Sequence, residues 1–334
     1  MLEASAKYWQ ELEVEIVVVG QGSEHPFASA LQSVGYRVQK VPSLKALTGM
    51  RQWRRLLKVE KPDVIHLHTE RAFAAAAIVA HFASSHSTTV RTIHSLFWAR
   101  GRWGFKRRLQ CLISDRYVDQ FVCLTPDMVA HEETFGRNSV VIRNWVADKY
   151  FEAKSAAQTD VDVAVVGNCS MVKNHDVVLK AAQSQGWTVA HLGSEEAVTD
   201  QERALLEVLE VNNELAFRGV GDPLDWLGST AVFAMPSVRE GFGVSLAEAI
   251  APQCACVVAN APGLEWARKF PLVFVAESPY ESSEWEKLVR HAMDVRTDPG
   301  YHDKADEQRR MAKTDLSAER GVSEYVHLYR LAKT

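Results

Sequence analysis

The chain has 334 residues, 47% of them hydrophobic and 24% charged, with a formal net charge of −4; this suits two ordinary domains with apolar cores and excludes a disordered or low-complexity protein. The negative balance argues against nucleic acid as a partner. The lack of an uninterrupted apolar run of about 18 residues, and of a basic-then-apolar start, argues against a spanning helix and a secretory leader.

Charge is uneven along the chain: residues 1–150 carry 20 Lys and Arg against 14 Asp and Glu, and residues 151–334 carry 18 against 28. A basic half and an acidic half suggest separate surfaces with separate partners. Cys111, Cys123, Cys169, Cys254 and Cys256 contain no Cys-x-x-Cys pair. Zinc and redox motifs therefore find no support, and free thiols in a reducing cytosol are expected.

"MLEASAKYWQE" reads as a helix leading into a first strand. Strand-length, β-branched runs then recur at 12–20, 36–41, 63–68, 88–94, 120–124 and 139–143, and again at 161–167, 187–193, 215–219, 231–237, 255–259 and 272–276. Helix-period segments such as 44–59, 71–83, 105–117 and 175–185 separate them. The Ala-rich part of the second, 72–83, is short, broken by His81, and reads as a buried helix. Strand–helix alternation argues a parallel sheet covered on both faces, and it happens twice. The expectation is an α/β protein of two doubly wound Rossmann-like domains. Their boundary is expected near 150–160, in the polar "YFEAKSAAQTD". Ligands of such a pair sit in the cleft at the carboxyl ends of the strands. The last helix, near 317–332, carries the apolar stripe Val322, Tyr325, Val326, Tyr329 and Leu331 with no strand after it, so it must pack on structure already built.

The stretch "PSVREGFGVSLAEA", residues 236–249, carries the chemistry. A strand empties into the loop "EGFG", and "VSLAEAIA" has helical composition. Gly241 and Gly243 allow close backbone approach. The helix start presents N–H groups and the positive end of a dipole, which suits a phosphate or diphosphate. Glu240 lies on the loop beside whatever hangs from that phosphate. Glu248 lies one to two turns into the helix, placed to accept from ribose hydroxyls. A ligand-free reading stands beside this one: Ser245 and Glu248 fit a capping box, and Glu240 fits a solvated loop residue.

This stretch resembles the Glu–seven residues–Glu signature of the retaining nucleotide-sugar glycosyltransferases of family 4, which have the GT-B fold. The likeness extends over nearly the whole chain: "KPDVIHLHTERA" (61–72), "TIHS" (92–95), "VIRNWVADKYF" (141–151), "VVGNCSMVKNH" (165–175), "FRGVGD" (217–222) and "APGLEWA" (261–267) resemble family segments in the expected order. It implies an acceptor-side domain over 1–152, a donor domain over 153–316 and a helix at 317–334 that crosses back to the first domain. It implies Glu240 beside the donor sugar, Glu248 on the donor ribose and Lys173 on the diphosphate. The amides of Phe242, Gly243 and Val244 hold the distal phosphate. His94, at a strand end, touches sugar or acceptor; His68 is a weaker candidate. The co-substrate is a nucleoside-diphosphate sugar, with no other cofactor and no metal.

Two departures from the family pattern stand out. Asn168 occupies the position where the family usually has Arg, which keeps a hydrogen-bond donor and loses a charge. The family's first strand and glycine-rich loop are absent, so the first sheet is expected to be interrupted.

"SLFWARGRWGFKRRLQ" (95–110) mixes Phe97, Trp98, Trp103 and Phe105 with Arg100, Arg102, Lys106, Arg107 and Arg108. It is read as an acceptor loop for a sugar or lipid-linked acceptor at the inner membrane face; a solvated basic helix with two core aromatics is the plainer alternative. Sugar transfer with retained configuration, in the cytoplasm and in surface polysaccharide or glycolipid assembly, is the expected activity. A binding or scaffold protein that lost turnover, and a nucleotide-sugar epimerase of similar fold, are the rivals.

Overall fold

The computed structural model describes residues 1–22, 25–70, 72–96, 101–153 and 159–332; within the helix Gly101–Ser114 the side chains at 102, 103, 106, 110 and 113 stand outside that description. The described chain divides into two compact units, 1–144 with 318–334, and 145–317.

The second unit is built on six parallel strands: β7 (Val161–Val166), β8 (Val189–Leu192), β9 (Leu215–Gly219), β10 (Thr230–Met235), β11 (Ala255–Ala259) and β12 (Val273–Ala276). Their order, β12-β11-β10-β7-β8-β9, reverses direction at β7 and β10. That is the doubly wound pattern, with its switch point where the first and fourth strands of the unit meet. β8, β10 and β11 are buried at every residue, because helices cover both faces of a parallel sheet and leave no polar side to alternate with.

The first unit holds β1 (Val17–Gln21), β2 (Arg37–Val41), β3 (Val64–Leu67), β4 (Thr88–Ile93), β5 (Gln120–Cys123) and β6 (Ser139–Val141). All pairings are parallel, but they fall into two sheets among the described residues, β1-β2 and β3-β4-β5-β6. The expected interruption is therefore present. A side-chain bond from Gln21 Nε2 to Thr69 Oγ1, 2.8 Å, ties the end of β1 to the loop after β3.

All twelve strand expectations have a counterpart, as do the helices Leu2–Glu11, Leu47–Glu60, Phe73–Ala83, Gly101–Ser114, His175–Gln185 and Ala318–Leu331. The division into units falls after Asn144, and the short helix Asp148–Glu152, with Tyr150 and Phe151 buried, belongs to the second unit. Two bonds hold it there: Val146 N–H donates to Leu316 O at 3.0 Å, and Lys149 pairs with Asp222 at 2.5 Å.

The terminal helix Ala318–Leu331 is grouped with the first unit. Val322, Tyr325 and Leu328, three to four residues apart, are buried. Tyr329 stacks on Trp9 of the first helix with ring centroids 6.3 Å apart. The chain ends thus share one packing layer.

Candidate active site

In the second unit, the loop after β7 and the loop after β10 lie side by side. Val238 N–H donates to Val172 O at 2.9 Å, and Ser245 Oγ donates to Val166 O at 3.3 Å. Asn174, in the left-handed region at φ 53°, anchors the first loop by donating to the carbonyls of Pro236 and Pro279 at 3.3 and 2.8 Å. These contacts bring Lys173 Nζ to 2.6 Å from Glu240 Oε1, with side-chain exposures of 24% and 14%. Neither residue is the freely solvated group of the ligand-free reading.

The backbone of Glu240 is held from the other side. Its N–H donates to Pro262 O at 3.1 Å, and Gly263 lies so close that a Cβ there would sit 2.1 Å from Glu240 O. Gly263 also has φ +86°. Gly263→Ala combines a disfavoured backbone conformation with a clash against main chain. It is expected to cost about 1–3 kcal/mol from the conformation alone, read as a lowered denaturation midpoint, with Glu240 displaced.

The helix Val244–Ile250 starts at Gly243, which takes φ 76° and places no side-chain cap on it. The capping-box reading is thereby overturned: the helix starts at Gly243, Ser245 bonds to Val166 instead, and the Glu248 carboxylate lies near the Tyr150 hydroxyl. Among the described residues, the amides of Phe242, Gly243 and Val244 meet no protein acceptor. Phe242 is buried and stacked on Trp266, ring centroids 4.6 Å apart, while Trp266 Nε1 donates to Phe242 O at 2.8 Å. The loop is thus fixed by its carbonyl and its ring, and its N–H groups stay available. Burial raises the Glu248 carboxyl above its ordinary value, and the Tyr150 hydroxyl works against that rise. Burial first, and then the Glu248 charge, pushes the Tyr150 hydroxyl well up, so it remains a donor.

Asn168 is placed beside this loop but is partly engaged. Its Oδ1 accepts from Ser194 N–H at 2.9 Å, leaving its NH2 as the group it can offer an anion.

The first unit gathers three histidines. His68 Nδ1 lies 2.9 Å from His94 Nε2, and the His66 and His68 rings meet at a tilt of 34° with centroids 4.1 Å apart. His66 is bound at both nitrogens, to the Tyr329 hydroxyl at 2.6 Å and to Thr92 Oγ1 at 2.7 Å. Glu70 Oε1 accepts the His94 N–H at 2.8 Å, and its other oxygen lies 3.4 Å from Arg91. Arg91 is buried against the Phe73 ring, 3.5 Å from its centroid, and burial lowers it to about 10.

Desolvation lowers all three histidines: His66 well below its ordinary value, His68 to about 4 and His94 less far, the neighbouring rings adding repulsion for His66 and His68. Depressed values mean the unfolded chain takes up protons first. The stabilisation is complete above about 6.5, the ordinary imidazole value, and falls as pH drops towards 4. Protection of the β3 and β4 amides, measured against their intrinsic exchange rates, should fall over that window, and His66→Gln should flatten the dependence.

Trp98 and Arg100 lie outside the described residues, and Arg102 and Trp103 are described only as backbone of the helix Gly101–Ser114. That helix exposes Phe105 (73%), Leu109 and Leu112. Their spacing puts them on one face, and of the four aromatics in 95–110 only the Phe105 side chain is described. Glu70, Tyr150 and Asn174 were missed in the sequence. Their partners are remote in the chain or belong to main chain, and no local pattern marks them.

The profile of Glycosyltransferase Family 4 matches residues 2–149, and that of Glycosyl transferases group 1 matches residues 146–309. The chain belongs to glycosyltransferase family 4. Its α/β architecture is the GT-B fold of that family. A glycosyltransferase from Rickettsia africae ESF-5 aligns with TM-score 0.82 at 14% identity, over 99% of this chain and 93% of the other. Anabaena HepE in complex with UDP-glucose aligns with TM-score 0.80 at 15% identity, over 98% and 93%. Sucrose-phosphate synthase from Thermosynechococcus elongatus aligns with TM-score 0.72 at 13% identity, over 98% and 91%. At these identities the structural likeness speaks for the fold alone. No curated protein matches the chain by sequence. Among the described residues no helix is long and apolar enough to cross a membrane.

Proposed function

We propose that this glycosyltransferase moves a sugar from a nucleoside-diphosphate sugar to an acceptor hydroxyl with retention of anomeric configuration. The observation that carries the reading is the Lys173–Glu240 pair at 2.6 Å, set beside amides without acceptors at the start of the helix Val244–Ile250. Departure of the sugar leaves negative charge on the diphosphate. Lys173 and the amides of Phe242, Gly243 and Val244 are the fixed positive groups for it, and such groups act without a divalent metal in the transfer step. When the diphosphate takes the Lys173 ammonium, Glu240 is released to the hydroxyls of the donor sugar. Glu248, near the Tyr150 hydroxyl, has lone pairs for the ribose. Asn168 gives a weaker grip than Arg would. On the first unit, His94 is the group offered to the acceptor.

The bound UDP-glucose of Anabaena HepE supports a nucleotide sugar as the donor class. The exposed row Phe105, Leu109 and Leu112 beside Arg108 supports a lipid-linked sugar as acceptor, used in the cytoplasm at the inner membrane face in polysaccharide or glycolipid assembly. Phe105→Ser with Leu109→Ser should release the protein from anionic vesicles at low salt. A wild-type chain that ignores those vesicles overturns the membrane part alone.

The donor is tested by melting the protein with UDP-, GDP- and ADP-sugars. A ligand at 100 times its dissociation constant adds about 2.7 kcal/mol. Transfer assays on the stabilising donor follow. Binding without turnover, equal in wild type and Glu240→Ala, favours the non-catalytic binding protein, a reading supported by Asn168. Conversion of the free donor without an acceptor favours an epimerase.

A further inference from the structure

Four side chains outside the proposed donor contacts converge in the second unit. Cys169 stands on the loop after β7, His175 opens the helix His175–Gln185, His191 lies in β8, and Glu202 sits in the first turn of the helix Asp200–Val211. All four are buried, between 0 and 2% exposed. One potential ligand atom from each lies within 4.8 Å of every other.

Hydrogen bonding alone does not account for this arrangement. His191 Nε2 has Cys169 Sγ at 3.6 Å, His175 Nδ1 at 3.3 Å and Glu202 Oε1 at 3.4 Å. A neutral imidazole nitrogen carries either one proton or one lone pair, so it satisfies one of the three. His191 Nδ1 is itself buried without a partner, so neither tautomer satisfies the ring. Glu202 Oε1 accepts from His175 Nδ1 at 2.9 Å, yet a carboxylate among such crowded nitrogens and a thiol is costly to bury.

A cation at the centre resolves the crowding. Zinc bonds nitrogen and carboxylate oxygen at about 2.0–2.2 Å and thiolate sulfur at about 2.3 Å, so a tetrahedron of such bonds has edges of about 3.3 Å between nitrogens and about 3.6 Å from nitrogen to sulfur. The separations of 3.3 Å between His175 and His191 and 3.6 Å between Cys169 and His191 agree with those edges. We propose that Cys169, His175, His191 and Glu202 form a closed, structural zinc site. The thiol proton leaves to solvent as the Zn–S bond forms, and no redox change is involved. Four protein ligands leave no position for a substrate, so the site is separate from any role of a metal in transfer. The ion would tie together a β-strand, two helix starts and both ends of the loop carrying Lys173. The ligands stand 16, 22 and 27 residues apart in their pairings, which no zinc motif spells.

The test is metal content and cobalt spectroscopy on the full chain. Protein purified without chelator should hold about one zinc per chain, retained through dialysis. Metal-free protein should take up about one Co2+ with the visible bands of a four-coordinate ion and a thiolate-to-cobalt band in the near ultraviolet. Cys169→Ser should abolish that near-ultraviolet band, and Cys111→Ser should leave it unchanged. Glu202→Gln, close in shape, should weaken cobalt binding by about 10–100-fold or more while the far-ultraviolet circular dichroism stays native. The proposal is overturned if folded wild type neither retains zinc nor takes up cobalt, or if the thiolate band survives in Cys169→Ser. The assay needs no sugar donor, so its failure leaves the functional proposal standing, and the reverse holds too.

Discussion

Lys173→Ala lowers kcat for sugar transfer by about 100- to 1,000-fold, the loss expected when one preorganised donor to a developing negative charge is removed, about 2.7–4 kcal/mol of barrier. The ammonium is held 2.6 Å from Glu240 in a pair that is largely shielded, so its position is set before the donor arrives. Acceptor KM should change little, because the charge appears on the leaving diphosphate. Steady-state kinetics with the donor named by the melting screen checks this. A kcat within a few-fold of wild type removes Lys173 from the charge-stabilising role. The variant also leaves Glu240 unpaired, so an unchanged melting temperature of Lys173→Ala serves as the control that separates lost chemistry from a strained loop.

Arg137→Ala destabilises the first unit by about 3–5 kcal/mol, the range for stripping one partner from a buried ion cluster. Arg137 is 2% exposed at its side chain. It contacts Asp115 at 2.7 Å and also Glu132, itself 1% exposed and shared with Arg107 at 2.9 Å. Removing the guanidinium leaves Asp115, 22% exposed at its side chain, without this partner and leaves the buried Glu132 with Arg107 alone. Arg37 makes just as many pairs, with Glu15 and Glu60, but at 49% side-chain exposure. Arg37→Ala should therefore cost far less than Arg137→Ala. Urea denaturation followed by first-unit hydrogen exchange distinguishes the two. Equal costs would mean that burial does not decide the worth of these pairs.

Element placement was legible in the sequence to within a few residues. The main slip was β1, whose expected run began at 12 and whose strand begins at Val17, because "LEVE" alternates like a strand while Val14 N–H closes the preceding helix onto Trp9 O. The surroundings of the buried Tyr150 were not legible, because Asp222, Asp225 and Glu248, which act on its hydroxyl, lie far along the chain.

The proposed donor contacts divide along the same line. Glycine spacing and the two glutamates marked the loop at 236–249, because backbone freedom and carboxylate chemistry are properties of residue types. That Ser245 and Glu248 do not cap each other is decided by Val166 O and the Tyr150 hydroxyl, both distant in the chain. The buried cluster of Cys169, His175, His191 and Glu202 lay wholly beyond sequence reasoning.

What the sequence determined by itself is periodic: which runs become strands, which faces are apolar, and which loop can bring main chain close to an anion. These follow from side-chain size, branching and backbone sterics over a few neighbouring residues. What the tertiary structure alone decided is convergence. The Lys173–Glu240 pair, the Glu248–Tyr150 contact and the four-residue cluster each join segments that only the winding of the sheet makes adjacent. Pair energies of charges and lone pairs fall with distance in space, and separation along the chain does not enter them.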